Sequence, residues 1–240
     1  MIIGCLIGVA AFKPKQSFQP IAVIELFTSQ GCSSCPAADK LLTQTISEAK
    51  KDGRKIFALS FHVDYWNRLG WADPFSAKEY SQRQGAYATQ LKLSSVYTPQ
   101  MVVNGSKEFI GSDEHDLKDA LNKSLNAMPV AAFKVLSASV QNNTAPKVKF
   151  LLDGMYAGCN INFALVSLSE TTAIKRGENG GLTLTNENVV RQFISIPAIA
   201  EGEINFKASP VPAGNNMAII AYIQQTNTLK IIGAAKAEIN

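Results

Sequence analysis

The chain has 240 residues, 46% of them hydrophobic and 18% charged, a globular balance long enough for one large or two modest domains of roughly 100–200 residues each. Its formal net charge of +4 comes from scattered lysines and arginines with no run of five or six, which excludes the basic stripe of a nucleic-acid-binding protein.

The chain opens "MIIGCLIGVAAFKPKQSFQP". Its first twelve residues are apolar apart from glycine and cysteine. That is too short for a membrane-spanning helix of about 20 residues, but it matches the apolar core of a secretory signal. The positively charged lead is missing, and "VAAF" (Val9 to Phe12) offers small residues for cleavage. A rival reading takes Ile2-Ile3-Gly4-Cys5 as a lipoprotein box that would leave a lipidated Cys5; a plain buried strand is the bland alternative. Residues 1–19 are therefore expected to be signal-like, and the protein periplasmic or secreted. No comparably long apolar segment follows, so no transmembrane helix is expected. Beyond Cys5 only Cys32, Cys35 and Cys159 remain, which is no disulfide framework.

"IAVIELF" (21–27) reads as a buried strand. In "CSSCPAADKLLTQTISEAKK", Leu41, Leu42, Thr45, Ile46 and Ala49 recur at helical spacing, with Asp39 and Lys50 at the favourable ends of the macrodipole. "DGRK" turns the chain into a second buried strand, "IFALSFHV" (56–63), so a parallel pair with a right-handed crossover is expected. Residues 64–95 form an aromatic loop that becomes helical after Ser76, a predicted N-cap with Glu79 three residues on. "TPQMVVNGSKEFIG" has the form of a hairpin turning at Asn104-Gly105. "SDEHDLKDALNKSLN" predicts a helix capped by Ser112. Beyond Met128-Pro129 the texture changes to about seven alternating or apolar runs with turn signals between them, the pattern of a β-sandwich. The expected organisation is a thioredoxin-like α/β domain over 20–128, with a helical insertion at 64–95, followed by an all-β sandwich over 129–240.

The order of the N-terminal elements places Cys32 and Cys35 where thioredoxin folds carry their Cys-x-x-Cys pair. Helix-terminal N–H groups stabilise a thiolate there, and such a setting lowers a thiol pKa to roughly 3.5–7.5. Cys32, nearer the solvent, is expected to be the attacking thiolate; Cys35, one turn in, resolves the mixed disulfide, and the two form the Cys32–Cys35 disulfide. Pro36 suits an early helical position. Thr98-Pro99 precedes the third strand, where a cis-proline facing the cysteines would line a substrate groove. His62 and Asp64 end the second strand, at the rim where ligands of parallel sheets bind, and either would move protons. Glu25, inside an apolar strand, is a further candidate proton acceptor. Trp66 and Trp71, with Tyr65 and Phe75, make either a substrate-contacting surface or a small satellite core. The pair also suits half a zinc site or Cu(I), although only two histidines, His62 and His115, are available. Cys159 reads as a small buried hydrophobe.

With these residues in place, the chain resembles an uncharacterised family catalogued as domain of unknown function 1223, secreted bacterial proteins expected to be thioredoxin-like. The resemblance lies in "VIELFTSQGCSSCPAAD", "FHVDYWNRLGWADPF", "SVYTPQMVVNG" and "KRGENGGLTLTNENVVRQF". The family's usual double proline after the second cysteine is here Pro36-Ala37. The resemblance implies the fold, the export and the pairing of domains, and it implies no substrate. Gly177, Gly180 and Gly181 are expected in a loop packed against the first domain. Two functions follow from this reading. One is an exported thiol–disulfide oxidoreductase acting on protein or small thiols, needing no cofactor. The other is a binding or accessory protein whose cysteine pair is inert or holds copper or zinc.

Overall fold

The computed structural model describes residues 18–140, 145–207 and 216–239. The signal-like segment, Cys5 included, falls outside these apart from Phe18 and Gln19. In chain order the elements are β1 (Ala22–Thr28), α1 (Cys35–Lys51), β2 (Ile56–His62), α2 (Lys78–Gln90), β3 (Gln100–Val103), β4 (Lys107–Ile110) and α3 (Glu114–Leu125). Seven strands follow: β5 (Ala131–Ser139), β6 (Lys147–Gly154), β7 (Cys159–Ala173), β8 (Thr183–Pro197), β9 (Glu201–Asn205), β10 (Met217–Gln225) and β11 (Ile231–Glu238). Among the described residues no helix is long and apolar enough to cross a membrane.

Two helix caps differ from expectation. The first residue of α2 follows Ala77, because the Ser76 hydroxyl is already used in the loop, where it donates to the Asp73 carbonyl and accepts from Asn67. α3 is capped by Asp113, whose carboxylate accepts from the Asp116 N–H, one residue beyond Ser112.

The fold is mixed α/β, built on one eight-stranded sheet in the order β11-β10-β7-β8-β2-β1-β3-β4, with a second sheet β5-β6-β9. β1 and β2 run parallel, as a crossover through α1 requires, and β3–β4 is an antiparallel hairpin. The strands beyond residue 130 do form two packed layers, but not a free-standing sandwich. One layer is continuous with the N-terminal strands, because Ser60 of β2 pairs with Val189 of β8 and the Ser60 hydroxyl donates to the Glu187 carbonyl. The seven apolar residues of β10, Met217 to Ile223, are all buried, which suits a strand covered on both faces.

Strand register decides what covers each face. Val23 and Phe27 of β1, Leu59 and Phe61 of β2, Val190 of β8, Val166 of β7 and Ile220 of β10 share one face and pack beneath Tyr80 and Tyr87 of α2. The alternate residues Ile24 and Leu26 pack under α1 and α3. On that second face, Phe163, Leu165 and Ile219 instead meet Phe133 and Phe150 of the small sheet. The β3–β4 turn closes against the C-terminal half: Gly105, at φ 64°, lies so near the Leu229 carbonyl that a Cβ would sit 1.9 Å from it.

A buried charge pair joins the parts. Glu25, at the centre of β1 and fully buried, accepts from Arg83 Nε at 2.8 Å and Nη2 at 3.0 Å. The Tyr222 hydroxyl of β10 donates to the same carboxylate at 2.7 Å, and the Tyr87 hydroxyl of α2 donates to its other oxygen. Four rings, Phe61, Tyr87, Phe193 and Tyr222, surround the Arg83 guanidinium. Burial works against its charge, but Glu25, Tyr222 and Tyr87 together outweigh burial and hold it protonated. Removing one partner leaves an uncompensated buried ion. Arg83→Met is therefore expected to cost about 3–5 kcal/mol, measured as a loss of urea stability at constant m-value.

Candidate active site

The turn from β1 into α1 presents the cysteine pair. The Cys32 N–H bonds the Ser29 carbonyl and the Cys35 N–H the Cys32 carbonyl, winding the chain into the helix. α1 begins at Cys35 with Pro36 next, where a missing N–H costs no helical bond. Cys32 and Cys35 form a disulfide with a Cα–Cα distance of 5.5 Å. Across from it the Thr98–Pro99 peptide is cis. The Thr98 hydroxyl stands 3.4 Å from Cys32 Sγ and accepts from the Trp66 indole at 2.8 Å. The Trp71 indole bonds the Gln30 side chain at 3.3 Å. Cys32, Cys35, Thr98, Pro99, Trp66 and Trp71 thus belong to one corner, and both indoles bond its rim.

The other predicted residues divide. Thr28 and His62 are register partners in β1 and β2, so both face α1 at the strand ends. His62 is fully buried, with Nδ1 2.7 Å from Asp73 Oδ2. Burial alone would raise the Asp73 carboxyl, but His62 and the N–H groups of Gln30 and Phe75 outweigh it and hold that group below its ordinary value. Asp64 does not pair with His62; its carboxylate accepts from Ser81 at the start of α2. Glu25 lies on the opposite face of β1 from α1 and is committed to Arg83, so it does not face Cys35.

The acid that does share a helix face with Cys35 is Asp39, one turn on. Its carboxylate accepts from Thr28 at 3.3 Å. Burial pushes its pKa up from 3.8 to about 6, against the lowering influence of His62, Thr28 and Asn186. Asp39 Oδ1 and His62 Nε2 are buried without a hydrogen-bond partner among the described residues. A cleft of about 260 Å³ between α1 and β8, bordered by Pro36, Lys40, Thr43, Thr183 and Thr185, reaches Asp39. The signal for Asp39 was its spacing: an acid on the stripe made by Cys35, Ala38, Leu42, Thr45 and Ala49 is buried with them. Asp73 carried no comparable signal.

Both sulfurs are fully buried, which differs from the expectation that Cys32 faces solvent. The β7–β8 loop, residues 174–182, packs on the cysteine turn. The Asn179 carboxamide donates to the Gln30 and Cys32 carbonyls, each at 2.9 Å, and Glu178 accepts from the Ser33 N–H at 3.0 Å. Gly177, at φ 78°, packs where a Cβ would lie 3.1 Å from Trp71 Cβ, while Gly180 and Gly181 shape the loop itself. Cys159 is a free, buried thiol, its pKa raised by burial. Among the described residues no three His, Cys, Asp or Glu side chains gather as a metal site.

The chain belongs to the family described as Protein of unknown function (DUF1223), which matches residues 23–224. It is similar to Protein AGR_C_4864 from Agrobacterium tumefaciens, at 26% identity and a TM-score of 0.70, over 93% of this chain and 96% of that one. It is similar in fold to HBP35 of Porphyromonas gingivalis, at 16% identity and a TM-score of 0.65, over 94% of this chain and 77% of that one. No curated protein matches the chain.

A carboxyl whose folded pKa exceeds its unfolded one holds its proton more tightly in the native state. Stability from Asp39 is thus fully present below about 3.8 and is lost as pH rises through about 6. The loss amounts to about 3 kcal/mol, at roughly 1.4 kcal/mol per pKa unit. The stability of wild type relative to Asp39→Asn is expected to fall by that amount between pH 3.5 and pH 7, read from urea midpoints with the disulfide intact.

Proposed function

We propose that this member of the DUF1223 family is an exported thiol–disulfide oxidoreductase whose residues 20–128 act as a thioredoxin-like unit. The observation that carries the reading is the Cys32–Cys35 disulfide at the start of α1, set against a cis Thr98–Pro99 bond, with a buried carboxyl one turn below. Supporting it, the strands run β2-β1-β3-β4, with α1 and α3 on one face and α2 on the other. A disulfide belongs in an oxidising compartment, which accords with export.

In the reducing direction, the Cys32 thiolate attacks a substrate disulfide, forming a mixed disulfide and releasing one substrate thiolate. Cys35 gives its proton to the Asp39 carboxylate and attacks Cys32 Sγ. The second substrate thiolate leaves, so two electrons pass from the pair to the substrate. The reverse sequence oxidises a dithiol. Asp39 serves as acceptor because a pKa of about 6 leaves it mostly ionised at pH 7 and close enough to exchange protons readily. The cleft beside it leads that proton to solvent. His62, oriented by Asp73, faces the same buried space and holds the carboxylate charge. Thr98, Pro99, Trp66 and Trp71 border the approach to Cys32.

The test uses a mixed-disulfide substrate with a chromogenic leaving thiol. Cys32→Ser is expected to abolish turnover, and Cys35→Ser to accumulate a covalent protein–substrate adduct seen by mass spectrometry. Turnover surviving in Cys32→Ser, or a pair that stays reduced in air and copurifies with copper or zinc, would sink the reading. Asp39→Asn is expected to slow release of the adduct at pH 7 by roughly 100-fold, the usual size of a lost general base, and to remove the rate inflection near pH 6.

A further inference from the structure

The motif "KRGENGGLTL" lies against the cysteine turn. Its contacts single out a particular set of groups. Asn179, 3% exposed, spends both bonds of its amide nitrogen on main-chain carbonyls, those of Gln30 and Cys32. Glu178 takes the main-chain N–H of Ser33. Two carbonyls and one N–H flanking the cysteine pair are therefore satisfied by side chains from 145 to 149 residues away. Both cysteines are fully buried beside these bonds.

The loop is tied together internally. Backbone bonds close it on itself: Ile174 to Leu182, Gly181 to Ile174, Gly180 to Gly177 and Leu182 to Asn179. Gly177 and Gly181 hold positive φ on either side of Asn179, and Ile174 anchors the base in the core at 2% exposure. Lifting the loop frees the Gln30 carbonyl and the Ser33 N–H, and leaves the Cys32 carbonyl with only its bond from the Cys35 N–H. Leaving such groups covered and unpaired is costly, so whatever replaces the loop must bring donors and an acceptor in register. A polypeptide main chain carries both at every residue. A small thiol carries neither in that array.

We infer that the 174–182 loop is a displaceable plug whose bonds are taken over by the main chain of an incoming polypeptide, so that the substrates are protein or peptide dithiols and disulfides and small thiols are selected against. The inference rests on the oxidoreductase reading of the pair. In the oxidising direction a partner cysteine thiolate bonds Cys32 Sγ as the Cys32–Cys35 bond breaks and Cys35 leaves as a thiolate. The partner's second cysteine then attacks the first. The partner ends as a disulfide, and the pair ends reduced with two electrons and two protons.

The experiment measures how fast the oxidised full chain is reduced by dithiothreitol and by a reduced, unstructured peptide with two cysteines, at equal thiolate concentration. Wild type is expected to react with the peptide at least about tenfold faster. Glu178→Ala should speed the dithiothreitol reaction about threefold and Asn179→Ala about tenfold, narrowing the preference, as losing one or two plug hydrogen bonds implies. Glu178 is exposed, so its replacement keeps the fold and decides the matter even if Asn179→Ala does not fold. Equal rates with the two reductants in wild type, or a dithiothreitol rate unmoved by Glu178→Ala, would overturn the plug while leaving the redox pair standing. A disulfide that neither reductant opens in any folded variant, but that opens in urea, removes the oxidoreductase reading and the plug with it.

Discussion

A carboxylate at the centre of a buried strand has to be answered by the rest of the molecule, and the answer to Glu25 organises this fold. Its charge is matched by Arg83 on α2 and its lone pairs by hydroxyls from α2 and β10. Those three elements come from the leading strand, the insertion and the last third of the chain. Pairing them in one site sets the C-terminal strands against the N-terminal ones with little freedom to slide, because a displaced member would strand a buried charge. The single parallel contact of β2 with β8 would be a weak hinge by itself. With the Arg83 cage on one face, it becomes part of a continuous sheet.

Two buried acids near β1 have opposite surroundings and so opposite uses. Arg83 beside Glu25 supplies a full permanent charge within hydrogen-bond range. Asp39 has a threonine hydroxyl, an asparagine and a histidine that is itself bonded to Asp73. Burial therefore dominates at Asp39, and its proton affinity rises into the range where a group exchanges protons at neutral pH. The strand alternation that sends Glu25 to one face sends Thr28 to the other, under Asp39. Odd and even positions along one strand thus send Glu25 to Arg83 and place Thr28 against the helical Asp39.

Much of the first half was legible because its signals are local. The β1–α1–β2 unit, the Asn104-Gly105 hairpin and the cysteines at a helix start all follow from spacing and turn chemistry within short windows. The seven strands beyond residue 130 were legible one by one for the same reason. Their joining to β2 was not, because a single bridge between Ser60 and Val189 leaves no periodic trace. The partners of Glu25 and Asp64 were not legible for a related reason. Which face a strand residue takes relative to a distant helix is set by register, and Glu25 meets Tyr222 across 197 positions. Asn179 was hidden inside a glycine-rich stretch whose composition announces a loop and says nothing of what the loop touches.

That loop changes how reactivity at the pair is to be understood. In an open Cys-x-x-Cys corner, thiolate stability and helix position set the rate of exchange. Here a second requirement precedes them, because the carbonyl of Cys32 and the N–H of Ser33 are already occupied by side chains of the other half. The sandwich layer therefore bears on the chemistry through its β7–β8 ribbon, which carries Asn179 to the cysteines while Arg191, at its base, is tied to Glu170 across the two strands. The Arg83 cage fixes the foot of that ribbon against β1, and β1 carries the cysteine turn. The loop and the cysteine turn it bonds are thus carried by strands of one continuous sheet.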